Sequence, residues 1–213
     1  MSKIKPSSDS VFIKMDSALM DSITFKSGVS LLTPSYLDRE KFATCVGVVH
    51  SKGDKCTLDV QEGDEVLVSY QMVTDYTYHG DEPVLHRLLN IEGEFLWKAD
   101  WLFKEYGEHM ILAKKAGDRW QPVGNYAFLK EHIKTQLKSS LELPPIKDSS
   151  DDCGYFYAGS LDIKEGTKCF WGFGTRANNN VGLKATYILP DSQEFIIMNK
   201  EFIYAYESKE GTN

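Results

Sequence analysis

The chain has 213 residues, 42% of them hydrophobic, with a formal net charge of -7 and four cysteines. That length holds one or two domains with ordinary cores, and the acidic balance disfavours non-specific attraction to nucleic acid or to an anionic membrane. No apolar run approaches the roughly 20 residues of a membrane helix, the polar start Met1 to Asp9 lacks the apolar core of a signal peptide, and Cys45, Cys56, Cys153 and Cys169 show no C-x-x-C spacing, so a cytoplasmic protein with buried, reduced thiols is expected.

In chain order, Val11-Phe12-Ile13-Lys14-Met15 is β-branched and apolar enough to be a strand, with Val11, Ile13 and Met15 on one face. Asp16 to Glu40 is rich in Ser, Thr and Asp, carries Gly28 and Pro34, and holds one apolar patch, Val29-Ser30-Leu31-Leu32. That composition predicts a long loop, of the kind that is usually functional in a compact domain. Cys45 to Val49 is a short apolar run. Glu62-Gly63-Asp64 then places turn residues before the strand Val66-Leu67-Val68, as in a connection within an antiparallel sheet. Tyr76 to Pro83 reads as a turn-rich loop. His79 and His86 near Asp75, Asp81 and Glu82 match no common metal-ligand spacing, so this loop is expected to be solvated. Leu88 to Ile91 and Phe95 to Trp97 flank Glu92-Gly93-Glu94, a hairpin signature. Trp101-Leu102-Phe103 closes the half as a strand, although Lys98 to Tyr106 fits one or two helical turns equally well. Lys114 to Val123, with Gly117-Asp118 and Pro122, is predicted to be a linker.

The series then starts again. Asn125-Tyr126-Ala127-Phe128-Leu129-Lys130 resembles Asp9-Ser10-Val11-Phe12-Ile13-Lys14, and Glu131 to Asp152 is a second long loop with one apolar patch, Leu141-Glu142-Leu143-Pro144-Pro145. Cys153 to Gly159 stands where Cys45 to Gly53 stood. The plainest repeat follows: Leu58-Asp59-Val60-Gln61-Glu62-Gly63 recurs as Leu161-Asp162-Ile163-Lys164-Glu165-Gly166. Glu194 to Ile197 and Phe202 to Tyr204 answer Glu94 to Trp97 and Trp101 to Phe103. These markers predict two similar all-β domains, residues 1–115 and 116–213, each a small barrel of short strands; a pair of β-sandwiches is the alternative.

Catalytic signatures are sparse. No G-x-S-x-G or P-loop pattern occurs, and Gly172-Phe173-Gly174 lacks the third glycine and following helix of a dinucleotide site, so neither an enzyme nor a cofactor or metal site is expected. Four Trp and eleven Tyr fit strand packing better than base stacking. What remains are the apolar tags in the two polar loops, Gly28, Val29, Ser30 and Leu31 in the first and Leu141, Glu142 and Leu143 in the second. Apolar side chains in such loops either bury against their own domain or order on docking into a partner's apolar groove.

The ordered series Asp9 to Lys14, Gly28-Val29-Ser30-Leu31, Gly47-Val48-Val49, Val60 to Val66, Glu92-Gly93-Glu94-Phe95 and Ala99-Asp100-Trp101-Leu102 resembles the GroES-like (chaperonin-10) co-chaperonin family, and the half beginning at Asn125 resembles it again. The resemblance covers nearly the whole chain. The family's roof hairpin is cut to Ser51 to Thr57 in the first half and almost absent in the second. The resemblance implies two tandem GroES-like β-barrels with reduced roof hairpins and a non-enzymatic, co-chaperonin-like protein. Its mobile loops would dock on the rim of a GroEL-like chaperonin and assist protein folding. It further implies a homo-oligomeric ring in which first and last strands, Val11 to Met15 and Phe202 to Tyr206, pair between neighbours. The alternative is a structural or adaptor protein, as in a virion or surface assembly, that keeps the barrel without chaperonin binding.

Overall fold

The computed structural model describes residues 4–15, 22–24, 30–32, 45–74, 76–79, 82–131, 153–172, 184–188 and 193–207. The chain is all-β, built on antiparallel sheets, and divides into two compact units, Met1–Gly124 and Asn125–Asn213.

In the N-terminal unit the strands are β1 (Val11–Lys14), β2 (Ser22–Thr24), β3 (Ser30–Leu32), β4 (Val46–Lys52), β5 (Glu65–Val68), β6 (Tyr76–His79), β7 (Glu82–Leu85), β8 (Leu88–Ile91), β9 (Glu94–Ala99), β10 (Trp101–Phe103), β11 (Glu108–His109), β12 (Ile111–Ala116) and β13 (Arg119–Pro122). A short helix, α1 (Tyr70–Thr74), follows β5. Seven strands form one sheet in the order β13-β12-β5-β4-β1-β9-β8, while β2–β3, β6–β7 and β10–β11 are separate two-stranded pairs. In the C-terminal unit β14 (Tyr126–Glu131), β15 (Cys153–Gly159), β16 (Lys168–Trp171), β17 (Lys184–Ile188), β18 (Glu194–Asn199) and β19 (Ile203–Tyr206) make a six-stranded sheet, β17-β18-β14-β15-β16-β19. Read from its other end, that order is the first sheet again, with β19 in the place of β12 and β17 in the place of β8. Among the described residues only β13 has no counterpart there.

The match extends to individual hydrogen bonds. The amide of Gly63 donates to the Val49 carbonyl (2.9 Å), and Val49 donates back to the Asp64 carbonyl (2.9 Å); Gly166 and Phe156 exchange the same pair, through Phe156 O (2.7 Å) and Thr167 O (2.8 Å). Gly63 and Gly166 turn at φ of +87° and +81° with nothing within 4 Å of an added Cβ, so the left-handed backbone is what calls for glycine there. The residues before these turns form no strand. Instead Leu58 and Val60 drop into the first core and Leu161 and Ile163 lean on the second, while Asp59 stays outside and accepts from Lys114 Nζ at 2.7 Å. Fully burying such an aliphatic side chain, as at Leu58 and Val60, contributes about 1.5–3 kcal/mol, and the half-buried Leu161 and Ile163 gain a part of that, so the alternation recurs where the ladder does not. Each first strand also meets its neighbour with one bulge at the same place: Phe12↔Ser51 steps to Ile13↔Val49, and Phe128↔Ala158 steps to Leu129↔Phe156.

Four expectations need correction. Lys114 to Val123 is not a linker: β12 and β13 pair across it, Ala116↔Arg119 to Ala113↔Pro122, with Gly117-Asp118 as a two-residue turn. The division between units accordingly falls after Gly124, not between residues 115 and 116. Tyr76 to Pro83 contains the β6–β7 hairpin, with His79 opposite Glu82. Finally, β19 corresponds to β12, since Ile203, Ala205 and Tyr206 face Trp171, Phe170 and Cys169 as Ile111, Ala113 and Lys114 face Val68, Leu67 and Val66. Trp101 to Phe103 pairs with β11, outside the main sheet. Among the described residues no closed barrel forms; each sheet ends in two edge strands.

Candidate functional site

The two connections that carry the apolar tags leave from equivalent strands, β1 and β14, and return through equivalent strands, β4 and β15. At the root of the first lies a cleft of about 310 Å³ lined by Lys14, Met15, Val46, Gly47, Val48 and Glu65. The strands can close on one another here because Gly47 has no side chain. A Cβ would sit 2.5 Å from Met15 Cγ, 2.6 Å from Ile13 Cγ2 and 2.9 Å from the Lys14 carbonyl oxygen. Gly154 holds the same position at the second root, where a Cβ would meet the Lys130 carbonyl oxygen at 2.6 Å and the Trp171 ring at 3.0 Å. Val48 and, at the matching place, Tyr155 are exposed beside these glycines.

Charge surrounds the first root. Lys14 Nζ donates to Glu94 at 2.9 Å, and His50 Nε2 lies 3.3 Å from the same carboxylate. The Lys14 hydrogen bond holds the Glu94 carboxyl below the usual carboxylate range. Lys115 pairs with Glu65 at 3.1 Å. At the second root the lysine and the bulged residue recur in an aromatic setting, with Lys130 Nζ 4.9 Å from the Tyr157 ring centroid and the Tyr157 and Phe195 rings 4.6 Å apart, Phe195 standing in register with Leu96 of the first unit.

Of the tagged residues, Ser30 and Leu31 lie in β3, paired with Thr24 and Ile23 of β2. The first connection therefore contains a hairpin, which its polar composition did not predict. Gly28 and Val29, and Leu141, Glu142 and Leu143 of the second connection, lie outside the described residues.

A polar cluster that the sequence did not signal joins the two ends of the first unit's central strands. Ser10 Oγ donates to Asp100 Oδ1 at 2.5 Å, while Arg87 Nη1 and Lys98 Nζ approach Asp100 Oδ2 at 3.3 and 3.1 Å. His109 packs edge-on to Trp101 at 5.2 Å, and its Nδ1 accepts from the Ile111 amide at 3.0 Å. Burial pushes the His109 imidazole down to about 4, against the pull of Asp100 and Asp9. With Ser10 turned to Asp100 and His109 held neutral on a backbone amide, the cluster ties β1, β9 and β11 together. The thiols are similarly quiet: no disulfide forms, and burial pushes Cys45 up to about 12 and raises Cys169.

Among the described residues no helix is long and apolar enough to cross a membrane. No protein-family model, curated protein or solved structure matches the chain.

Proposed function

We propose that the chain is a non-enzymatic, co-chaperonin-like protein made of two GroES-like units with reduced roofs. Its two long connections dock on the rim of a GroEL-like chaperonin and so assist protein folding. The observation that carries this reading is the duplication of the loop roots. Both connections leave a central strand and return beside a glycine that a side chain would clash with, so one chain presents two loops from equivalent frames. Linking two weak docking segments raises overall affinity through effective concentration without any new contact. Leu31 and Leu143 supply apolar area for docking, and the polar remainder keeps the free loops in water.

Leu31→Asp combined with Leu143→Asp is expected to abolish co-migration of the chain with a chaperonin in the presence of nucleotide. Undiminished co-migration of the double variant would sink the assignment. One observation favours the second reading, a structural or adaptor protein: a connection with its own β2–β3 pairing has less need of a partner to order it. Limited proteolysis separates the two. Rapid nicking between Asp16 and Glu40 with the sheet intact favours docking loops, and resistance there favours the adaptor.

A further inference from the structure

The two repeats part company at one sheet edge. Trp97 opposes Ile13 and Ile196 opposes Leu129, the residues that follow the bulge in β1 and β14, so Phe95 corresponds to Glu194. Both positions are exposed, yet the first unit sets a phenylalanine there, 59% exposed, where the second sets a carboxylate. Beside Phe95 runs the edge strand β8, Leu88-Leu89-Asn90-Ile91, which carries neither charge nor proline, the usual guards against strand addition. Its equivalent in the second unit, β17, starts on Lys184.

The backbone of β8 is paired on one side. The Lys98 amide donates to the Arg87 carbonyl at 2.7 Å, and the same register sets Leu89 against Leu96 and Ile91 against Glu94. Alternation along an antiparallel pair therefore turns the amides and carbonyls of Leu88 and Asn90 to the open edge. Among the described residues β8 pairs with β9 alone, and the hairpin β6–β7 that precedes it belongs to another sheet.

These four outward groups are self-complementary, because Leu88 and Asn90 lie symmetrically about Leu89. A second β8 laid antiparallel, with Leu89 opposite Leu89, sets Leu88 against Asn90 twice and closes four ladder hydrogen bonds. On one face the row from the buried Leu96 to the half-buried Leu89 then continues into its own copy. On the other face Asn90, opposite Phe95 in its own sheet, lies beside Leu88 of the copy, which gives the exposed ring an apolar neighbour.

We propose that β8 is a two-fold assembly edge, at which two copies of the chain join antiparallel with Leu89 on the axis. A symmetric joint of this kind closes at two chains. Four residues a side make a small interface, so the dimer is reversible and grows with concentration. The joint rests neither on docking by the long connections nor on pairing of the chain's terminal strands.

Sedimentation equilibrium of the full chain over a concentration series tests it. Wild type is expected to approach twice the mass of Leu89→Lys and of Leu89→Glu, since each substitution sets like charges opposite one another on the axis. Mixing the two variants is expected to restore the doubled mass, because opposite charges then meet. Phe95→Glu, which repeats the second unit's choice at an exposed position, is expected to weaken the dimer about tenfold with the fold intact. A wild type with the variants' mass at every concentration overturns the proposal and leaves the edge to a strand of another protein. Variants that keep the wild-type mass overturn it as well, since self-association then uses another surface, and so does a mixture that behaves as its separate parts.

Discussion

The two loop roots share a bulge, a lysine and a close-packed glycine but differ in what surrounds them. In the N-terminal unit the bulged residue His50 and the strand residue Lys14 converge on the Glu94 carboxylate. In the C-terminal unit Tyr157 and Lys130 meet the ring of Phe195 instead. The bulge and the lysine stayed, the bulged residue changed from His50 to Tyr157, and the third member moved along the neighbouring strand, since Phe195 stands in register with Leu96 and not with Glu94. Backbone devices therefore define this fold: a bulge, a left-handed turn and a glycine at the closest strand approach, with side-chain identity free to drift around them. That also explains why so few residues recur between halves whose strand orders coincide.

The comparison is broken most directly at Gly47 and Gly154. Replacing either by alanine sets a methyl against a backbone oxygen at under 3 Å, and overpacking of this kind costs about 3 kcal/mol. Urea denaturation should show comparable losses for the two variants. A loss in one alone would mean that the roots are not equivalent.

His109 sharpens the contrast, since no histidine stands among the described residues of the second unit. Its imidazole is depressed in the folded state, so the unfolded chain binds the extra proton between its ordinary pKa of 6.5 and about 4. Stability therefore rises with pH across that window and falls on acidification, by up to about 3 kcal/mol for a shift of this size. Denaturation midpoints measured from pH 7 to pH 4 should fall less steeply in His109→Gln than in the wild type. Equal slopes would remove the buried histidine as the cause.

The smallest effect is expected at the paired turns. Alanine at Gly63 or Gly166 meets no neighbour and carries only the backbone cost of the left-handed conformation, about 1 kcal/mol each. Matching values from thermal denaturation of the two variants would support equivalence of the turns. A disparity well above that figure would break it.

Much of the sheet was legible in sequence because its strands are apolar runs punctuated by glycine. Glu92-Gly93 announced its hairpin, and both residues take the positive φ (53° and 84°) that such a turn requires. The edge hairpin β12–β13 was not legible. Its lysines and Gly117-Asp118 look like a linker, and only the alternation that buries Trp120 distinguishes it. Helix α1 is too short to display a period, although Met72 and Val73 are fully buried. The Asp100 cluster could not be read at all, since Ser10, Arg87 and Lys98 come from separate segments and meet only through the sheet. The tags at Leu31 and Leu143 stood out by composition, whereas the glycines at their roots acquire meaning only once the strands are placed.

The strand order also fixes the sequence of events at synthesis. In each unit the strand made first becomes a central one, and one of its two partners, β9 or β18, is among the last to be made. Ribosomes add about 5–20 residues per second, so β1 waits several seconds with one ladder edge unfilled before Glu94 to Ala99 arrive. Late closure of a long-range pairing slows folding and leaves a nascent β edge open to wrong partners. By the time β14 emerges, every strand of the first sheet has been made, so the two units meet this hazard one after the other.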